Sequence, residues 1–154
     1  MFSNNNCTPF ENGKRYYPLS QYYRECFGEK VYKVSVSVAK SCPNREGLKG
    51  MNVCIFCDEW GSAAYHQFSD LPILKQIQIN REAIRKRYKA KKFLIYFQAY
   101  TNTFGDFSGL KTLYDKALNE TDVVGLVVGT RPDCLPKRIL HKFDELSKEQ
   151  YLSV

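Results

Sequence analysis

Phe93–Tyr100 reads FLIYFQAY, a nearly continuous apolar run. A strand with one wet face alternates apolar and polar residues. A run without alternation is expected where both faces are covered, as in a parallel sheet. On its amino side, residues 71–91 carry Ile73, Ile77, Ile84 and Tyr88 on one stripe, which predicts a helix. On its carboxyl side, residues 108–119 place Leu110, Leu113, Tyr114, Ala117 and Leu118 at helical spacing. Further out, Val31–Ala39 (VYKVSVSVA) is rich in β-branched residues and reads as a strand. Val123–Gly129 (VVGLVVG) reads as a buried strand. Pro136 suits a first helical position, and the helix behind it carries Ile139, Leu140, Phe143 and Leu146. Tyr151–Val154 (YLSV) begins a fourth strand.

The order β-α-β-α-β-α-β predicts an α/β protein with a parallel sheet and right-handed crossovers. An open doubly wound sheet and a barrel or part-barrel both fit the pattern. Residues 1–15 are polar and Asn-rich, and read as a frayed, flexible N-terminus. Residues 16–30 are aromatic-rich and read as a short packed lead-in. No repeat or linker divides residues 16–154, which read as one domain. The chain stops inside an apolar strand with no turn signal, cap or polar tail. The expectation is the N-terminal part of a longer protein, truncated in its fourth strand.

The 154 residues suffice for one domain with its own core, and 44% hydrophobic and 25% charged residues are ordinary for a globular protein. No stretch has the length of a membrane span, and the start lacks the apolar core of a signal peptide. A cytoplasmic protein is the reading. In a reducing compartment six cysteines are a poor fit to a disulfide framework and a better one to metal binding or redox work. The net charge of +7 suits a nucleic-acid or other polyanionic partner, and equally a modestly basic protein without one. Much of the excess lies in Arg81–Lys92 (REAIRKRYKAKK), which reads most simply as a solvated helix face.

Ligands gather at the carboxyl ends of the strands in parallel α/β folds. By that rule three polar segments share one rim. The first is Lys40–Gly61, with Cys42, Cys54 and Cys57 at C-x11-C-x2-C spacing. The second is Thr101-Asn102-Thr103, preceded by Gln98. The third is Thr130-Arg131-Pro132-Asp133. Three thiolates in one loop suit a metal whose fourth corner is left for something else. Structural zinc is the main competitor, with His66 or Cys26 as a fourth ligand, and spacing alone leaves zinc and iron–sulfur open. Pro43, Gly47, Gly50 and Gly61 bend the loop, and glycines let backbone amides approach inorganic sulfide. Cys7, Cys26 and Cys134 read as small hydrophobes or as incidental. Arg131 and Asp133 have an alternative as a structural pair or a helix cap.

The run FGEKVYKVSVSVAKSCPNREGLKGMNVCIFC, then FQAYTNTF, then GLVVGTRPDCLP, resembles the radical S-adenosylmethionine superfamily. Within it, the likeness is to an uncharacterised bacterial family related to the catalytic subunit of Elongator. It spans about residues 16–154. The widened cysteine spacing, in place of the superfamily's usual C-x3-C-x2-C, and the T-R-P-D motif carry it.

The resemblance implies a partial (β/α) barrel and a 4Fe–4S cluster held by Cys42, Cys54 and Cys57, which favours iron over zinc. The fourth iron would take the methionine part of S-adenosylmethionine, and an electron from the reduced cluster would release a 5′-deoxyadenosyl radical. Phe56 matches the aromatic position beside the adenine. Where the superfamily often has a Gly-Gly-Glu-like segment, this chain has Gln98-Ala99-Tyr100-Thr101-Asn102, so Gln98, Thr101 or Asn102 would hold the amino group. Arg131 and Asp133 would shape the pocket for cofactor or an anionic substrate. The implied partners are a flavodoxin- or ferredoxin-type reductant and tRNA or another anionic substrate, since the Elongator relatives modify wobble uridine. The acetyl-transferring half of that enzyme has no counterpart here. The alternative is a non-enzymatic, zinc-bound nucleic-acid module.

Overall fold

Four strands lie side by side in chain order and run parallel: β1 (Val31–Ser37), β2 (Lys92–Gln98), β3 (Val123–Val128) and β4 (Tyr151–Ser153). The structure, a computed structural model, describes residues 13, 15–48, 50, 52–64 and 68–154. Helices α1 (Leu19–Phe27), α2 (Ile73–Tyr88), α3 (Phe107–Leu118) and α4 (Lys137–Glu149) complete the α/β architecture. A short 3-10 turn spans Pro132–Cys134. The aromatic lead-in is thus a helix, α1, ending on Gly28 in the left-handed conformation that glycine adopts most easily.

The two faces of β2 explain its unbroken apolar run. Phe93, Ile95 and Phe97 point to the layer of α2, α3 and α4, and pack with Ile77, Tyr114, Ile139 and Phe143. Leu94 and Tyr96 point the other way, to a smaller cluster with Tyr23 and Phe27 of α1 and Tyr151. Each such side chain, once buried, contributes about 1.5–3 kcal/mol. Tyr151 meets Phe27 edge-to-face with ring centroids 5.3 Å apart. Gly125 makes the close approach of β4 possible, because a Cβ there would lie 2.1 Å from the Tyr151 carbonyl oxygen. It sits beside a register shift in the β2–β3 pairing.

The register aligns the carboxyl ends, with Ser37 opposite Gln98 and Phe97 opposite Val128. The polar segments after β1, β2 and β3 therefore leave the sheet at one rim. α3 starts next to it, its first amides capped by the Asp106 carboxylate through Ser108 and Gly109.

Several expectations change in detail. β1 ends two residues before Ala39, and Pro136 is the residue before α4 rather than its first. Leu140, read as core, is 48% exposed. The stripe on α2 is not purely apolar: Gln76 and Asn80 are buried on it. Gln76 accepts from the Ser37 amide (2.8 Å) and donates to the Ser37 carbonyl (3.0 Å), and Asn80 donates to Ser35. Both use side-chain amides to anchor α2 to β1. The basic run is not simply solvated either. Arg81 pairs with Glu120 and Asp122, and Arg85 with Glu82 and Asp122, which fastens α2 to the turn before β3. Among the described residues no helix is long and apolar enough to cross a membrane.

Candidate metal centre

The chain leaves β1 through Lys40 and turns at once, with the Glu46 amide bonding back to the Cys42 carbonyl (3.1 Å). A second tight turn joins Cys54 and Cys57, the amide of Cys57 donating to the Cys54 carbonyl (3.0 Å). The two turns are held together through sulfur. Asn44 donates its side-chain amide to Cys54 Sγ at 3.2 Å. Arg45 donates to Cys57 Sγ at 3.7 Å and to the carbonyls of Asp58 and Glu59. The hydrogen bond to Cys57 holds the Arg45 guanidinium above its ordinary range. Cys42 is buried between the turn and the rim.

The tail of this loop is fastened to the end of β2. Gln98 donates to the Ser62 carbonyl (2.9 Å) and Tyr100 to the Glu59 carbonyl (3.0 Å). Between them the backbone passes through two consecutive left-handed residues, Ala99 (φ 72°) and Tyr100 (φ 52°). Such conformations are costly for residues with a Cβ and persist where neighbours enforce them. Asn102, only 3% exposed, is one enforcer: its amide nitrogen lies 3.0 Å from the carbonyls of Phe97, Ala99 and Gly129. It ties the end of β2 to the end of β3.

The third segment closes on the first. Arg131 grips Asp133 through two bonds of 2.9 Å and donates its remaining terminal nitrogen to Asn44 Oδ1 at 2.8 Å. The Asp133 carboxylate raises Arg131 above its already high range. Thr103 bonds Thr130 and the Cys134 carbonyl. Cavities of ≈ 150 and ≈ 220 Å³ open at this rim, both lined by Val38, Ala39 and Lys40.

The expected rim is therefore present: Cys54, Arg131 and Asp133 meet through Asn44, and Gln98 meets the loop tail. Other expected residues stand differently. Phe56 is 83% exposed and Thr101 is buried. Asn102 spends its amide nitrogen on backbone carbonyls, and its amide oxygen is buried with no partner among the described residues. Among the described residues no group of three or more His, Cys, Asp or Glu side chains is gathered as a metal-binding set. The cysteines thus share a loop without forming a closed ligand triangle. Their chemistry suits a soft, sulfur-bound centre all the same. Two sulfurs already receive hydrogen bonds, and the Arg45 Nε–H is shielded from solvent with no hydrogen-bond partner among the described residues, its guanidinium lying over the Tyr100 ring 5.1 Å from the centroid.

Cys26 does not join this set. It lies in the last turn of α1, just before β1 begins, at the opposite end of the strands from the loop. His66, Cys7 and most of the expected flexible N-terminus (1–12 and 14) lie outside the described residues. Asn44 and Arg45 were not singled out in the sequence. Their signal is two adjacent hydrogen-bonding side chains set between Cys42 and Cys54.

The chain matches no protein-family model, and no solved structure matches it. It is 36% identical over 151 residues to the uncharacterized protein YtqA of Bacillus subtilis, covering 97% of this chain and 47% of that one. It is 37% identical over 125 residues to protein YhcC of Escherichia coli K12, covering 81% of this chain and 39% of the relative. With the uncharacterized protein MJ0486 of Methanocaldococcus jannaschii it shares 34% identity over 131 residues, 84% of this chain and 39% of that one. The chain spans less than half the length of these curated relatives.

Proposed function

We propose that this chain is part of a radical S-adenosylmethionine enzyme. Its four-stranded sheet is then one portion of a partial (β/α) barrel, and Cys42, Cys54 and Cys57 hold a 4Fe–4S cluster. The observation that carries the reading is the junction of loop and rim. Cys54 and Cys57 each accept a hydrogen bond from the segment following Cys42, and that segment is bonded to Arg131 of the T-R-P-D motif. A second support is backbone geometry. Left-handed residues suited to glycine fall at Ala99 and Tyr100, where the resemblance places a Gly-Gly-Glu-like segment.

When bound, the cluster and S-adenosylmethionine supply reductive cleavage of the sulfonium and a 5′-deoxyadenosyl radical. The protein's own part is to hold and shield them. Gln98, whose amide nitrogen is held by the Ser62 carbonyl, would offer its amide oxygen to the methionine amino group, while Thr101 is buried and Asn102 keeps the β2 and β3 ends in register. Phe56, largely exposed, would cover the adenine. The Arg131–Asp133 pair, at the same rim, would border the cofactor or an anionic substrate. The basic balance suits tRNA or another anionic substrate, and a flavodoxin- or ferredoxin-type protein is the proposed reductant.

The test is anaerobic reconstitution with iron and sulfide, followed by S-adenosylmethionine and dithionite, with nucleoside products separated by chromatography. The account expects 5′-deoxyadenosine and methionine from the protein carrying the remaining strands. Zinc retained in place of iron, with no cofactor cleavage, would instead establish the zinc-bound module.

A further inference from the structure

Asn44 is 6% exposed, and both ends of its side-chain amide are used. Arg131 can only donate, so the amide oxygen must face it, at 2.8 Å. That fixes the amide nitrogen toward Cys54 Sγ, at 3.2 Å. The assignment of oxygen and nitrogen is therefore dictated by the partners. Asp133 occupies Nε and one terminal nitrogen of Arg131 and leaves the other for Asn44. The result is a continuous line, Asp133–Arg131–Asn44–Cys54, from the end of β3 to the cysteine loop. Asparagine suits the middle of that line because it offers one acceptor and one donor on a single planar group.

We propose that Asn44 is a positioning residue with two tasks: it locks the cysteine loop to the β3 rim, and it delivers to Cys54 a hydrogen bond polarised by Arg131. This inference rests on the cluster reading above. Hydrogen bonds to ligand sulfur offset the negative charge that reduction adds to a cluster, and so raise its potential. Cys57 receives its bond from a cation, Arg45, and Cys54 receives its bond from a neutral amide backed by one. Both sulfurs thus receive their bonds from adjacent residues of one turn.

The experiment compares the wild-type chain with Asn44→Asp and Asn44→Ala after anaerobic reconstitution, measuring iron per chain and the midpoint potential of the bound cluster. Asn44→Asp keeps an acceptor for Arg131 and loses the donor to Cys54. It should retain iron and titrate at a more negative potential. Asn44→Ala loses both bonds, so it should show the same negative shift and also release iron faster to a chelator. If Asn44→Ala does not fold, as judged by circular dichroism, Asn44→Asp alone decides. A wild-type potential in an iron-loaded Asn44→Asp variant overturns the inference and leaves the cluster reading standing. A wild-type chain that takes up no iron overturns the cluster reading, and the inference falls with it.

Discussion

Gly61 and Tyr100 are packed so closely that a Cβ on Gly61 would stand 2.5 Å from the Tyr100 ring. Gly61 is also left-handed, at φ +66°, and its carbonyl accepts the Tyr100 amide at 3.3 Å. The ring seals the tail of the cysteine loop onto the end of β2. Gly61→Ala must therefore displace the ring as well as strain the backbone. Gly47→Ala, at φ +67° with open space around it, imposes backbone strain alone. The expected loss is about 1 kcal/mol for Gly47→Ala and about 2–3 kcal/mol for Gly61→Ala, by urea unfolding. Equal losses would count against the clamp.

Gln76 completes the end of β1 by pairing with both backbone groups of Ser37, and it also donates to the Leu71 carbonyl. Gln76→Leu keeps apolar bulk but strands those groups. Buried unpaired polar groups cost about 1–3 kcal/mol each, so a loss of at least ~2 kcal/mol is expected. Gln78→Leu, on the exposed side of α2, should change stability by less than about 0.5 kcal/mol. A Gln76→Leu variant as stable as wild type would show that the side chain is dispensable.

Tyr114 is buried against Phe97, with ring centroids 4.8 Å apart, and its hydroxyl has no hydrogen-bond partner among the described residues. Tyr114→Phe removes that hydroxyl and keeps the ring. Stability should be unchanged or higher by about 1 kcal/mol. A clear loss would mean that the hydroxyl is satisfied in solution.

Burial pushes the Tyr23 phenol up to about 12 and raises Tyr22 and Tyr114 further. The folded state therefore holds these protons more tightly than the unfolded chain, whose tyrosines titrate near 10. Their stabilising contribution is complete below pH 10 and falls as pH rises through the folded-state values. Denaturation midpoints should drop from pH 10 upward, and less steeply in Tyr114→Phe. Midpoints independent of pH between 10 and 12 would contradict the burial of these rings.

The sheet was legible because its strands obey period rules. FLIYFQAY has no wet face, and the structure covers both. What escaped depends on residues distant in sequence. Gln76 and Asn80 carry no apolar signal, and a stripe drawn on apolar residues alone passes over amides that can reach a strand. Arg81 and Arg85 looked solvated because their partners, Glu120 and Asp122, come about forty residues later. Leu140 was read inward on spacing alone, and α4 at the layer's edge leaves it outside. The left-handed Ala99 and Tyr100 carry no mark in their residue types, since tertiary bonds impose the conformation. At the site, strand order was enough to put Arg131 on the same rim as the cysteine loop. The role of Asn44 between them required the fold.

The proposed cluster needs Cys42, Cys54 and Cys57 together. Its most direct test is iron and sulfide per chain, with the visible absorbance, after anaerobic reconstitution of the wild type and the single Cys→Ala variants. About four irons are expected in the wild type and in Cys7→Ala, Cys26→Ala and Cys134→Ala. Loss of the absorbance is expected in Cys42→Ala, Cys54→Ala and Cys57→Ala. Loss of iron in Cys26→Ala with full retention in Cys42→Ala would contradict this ligand set.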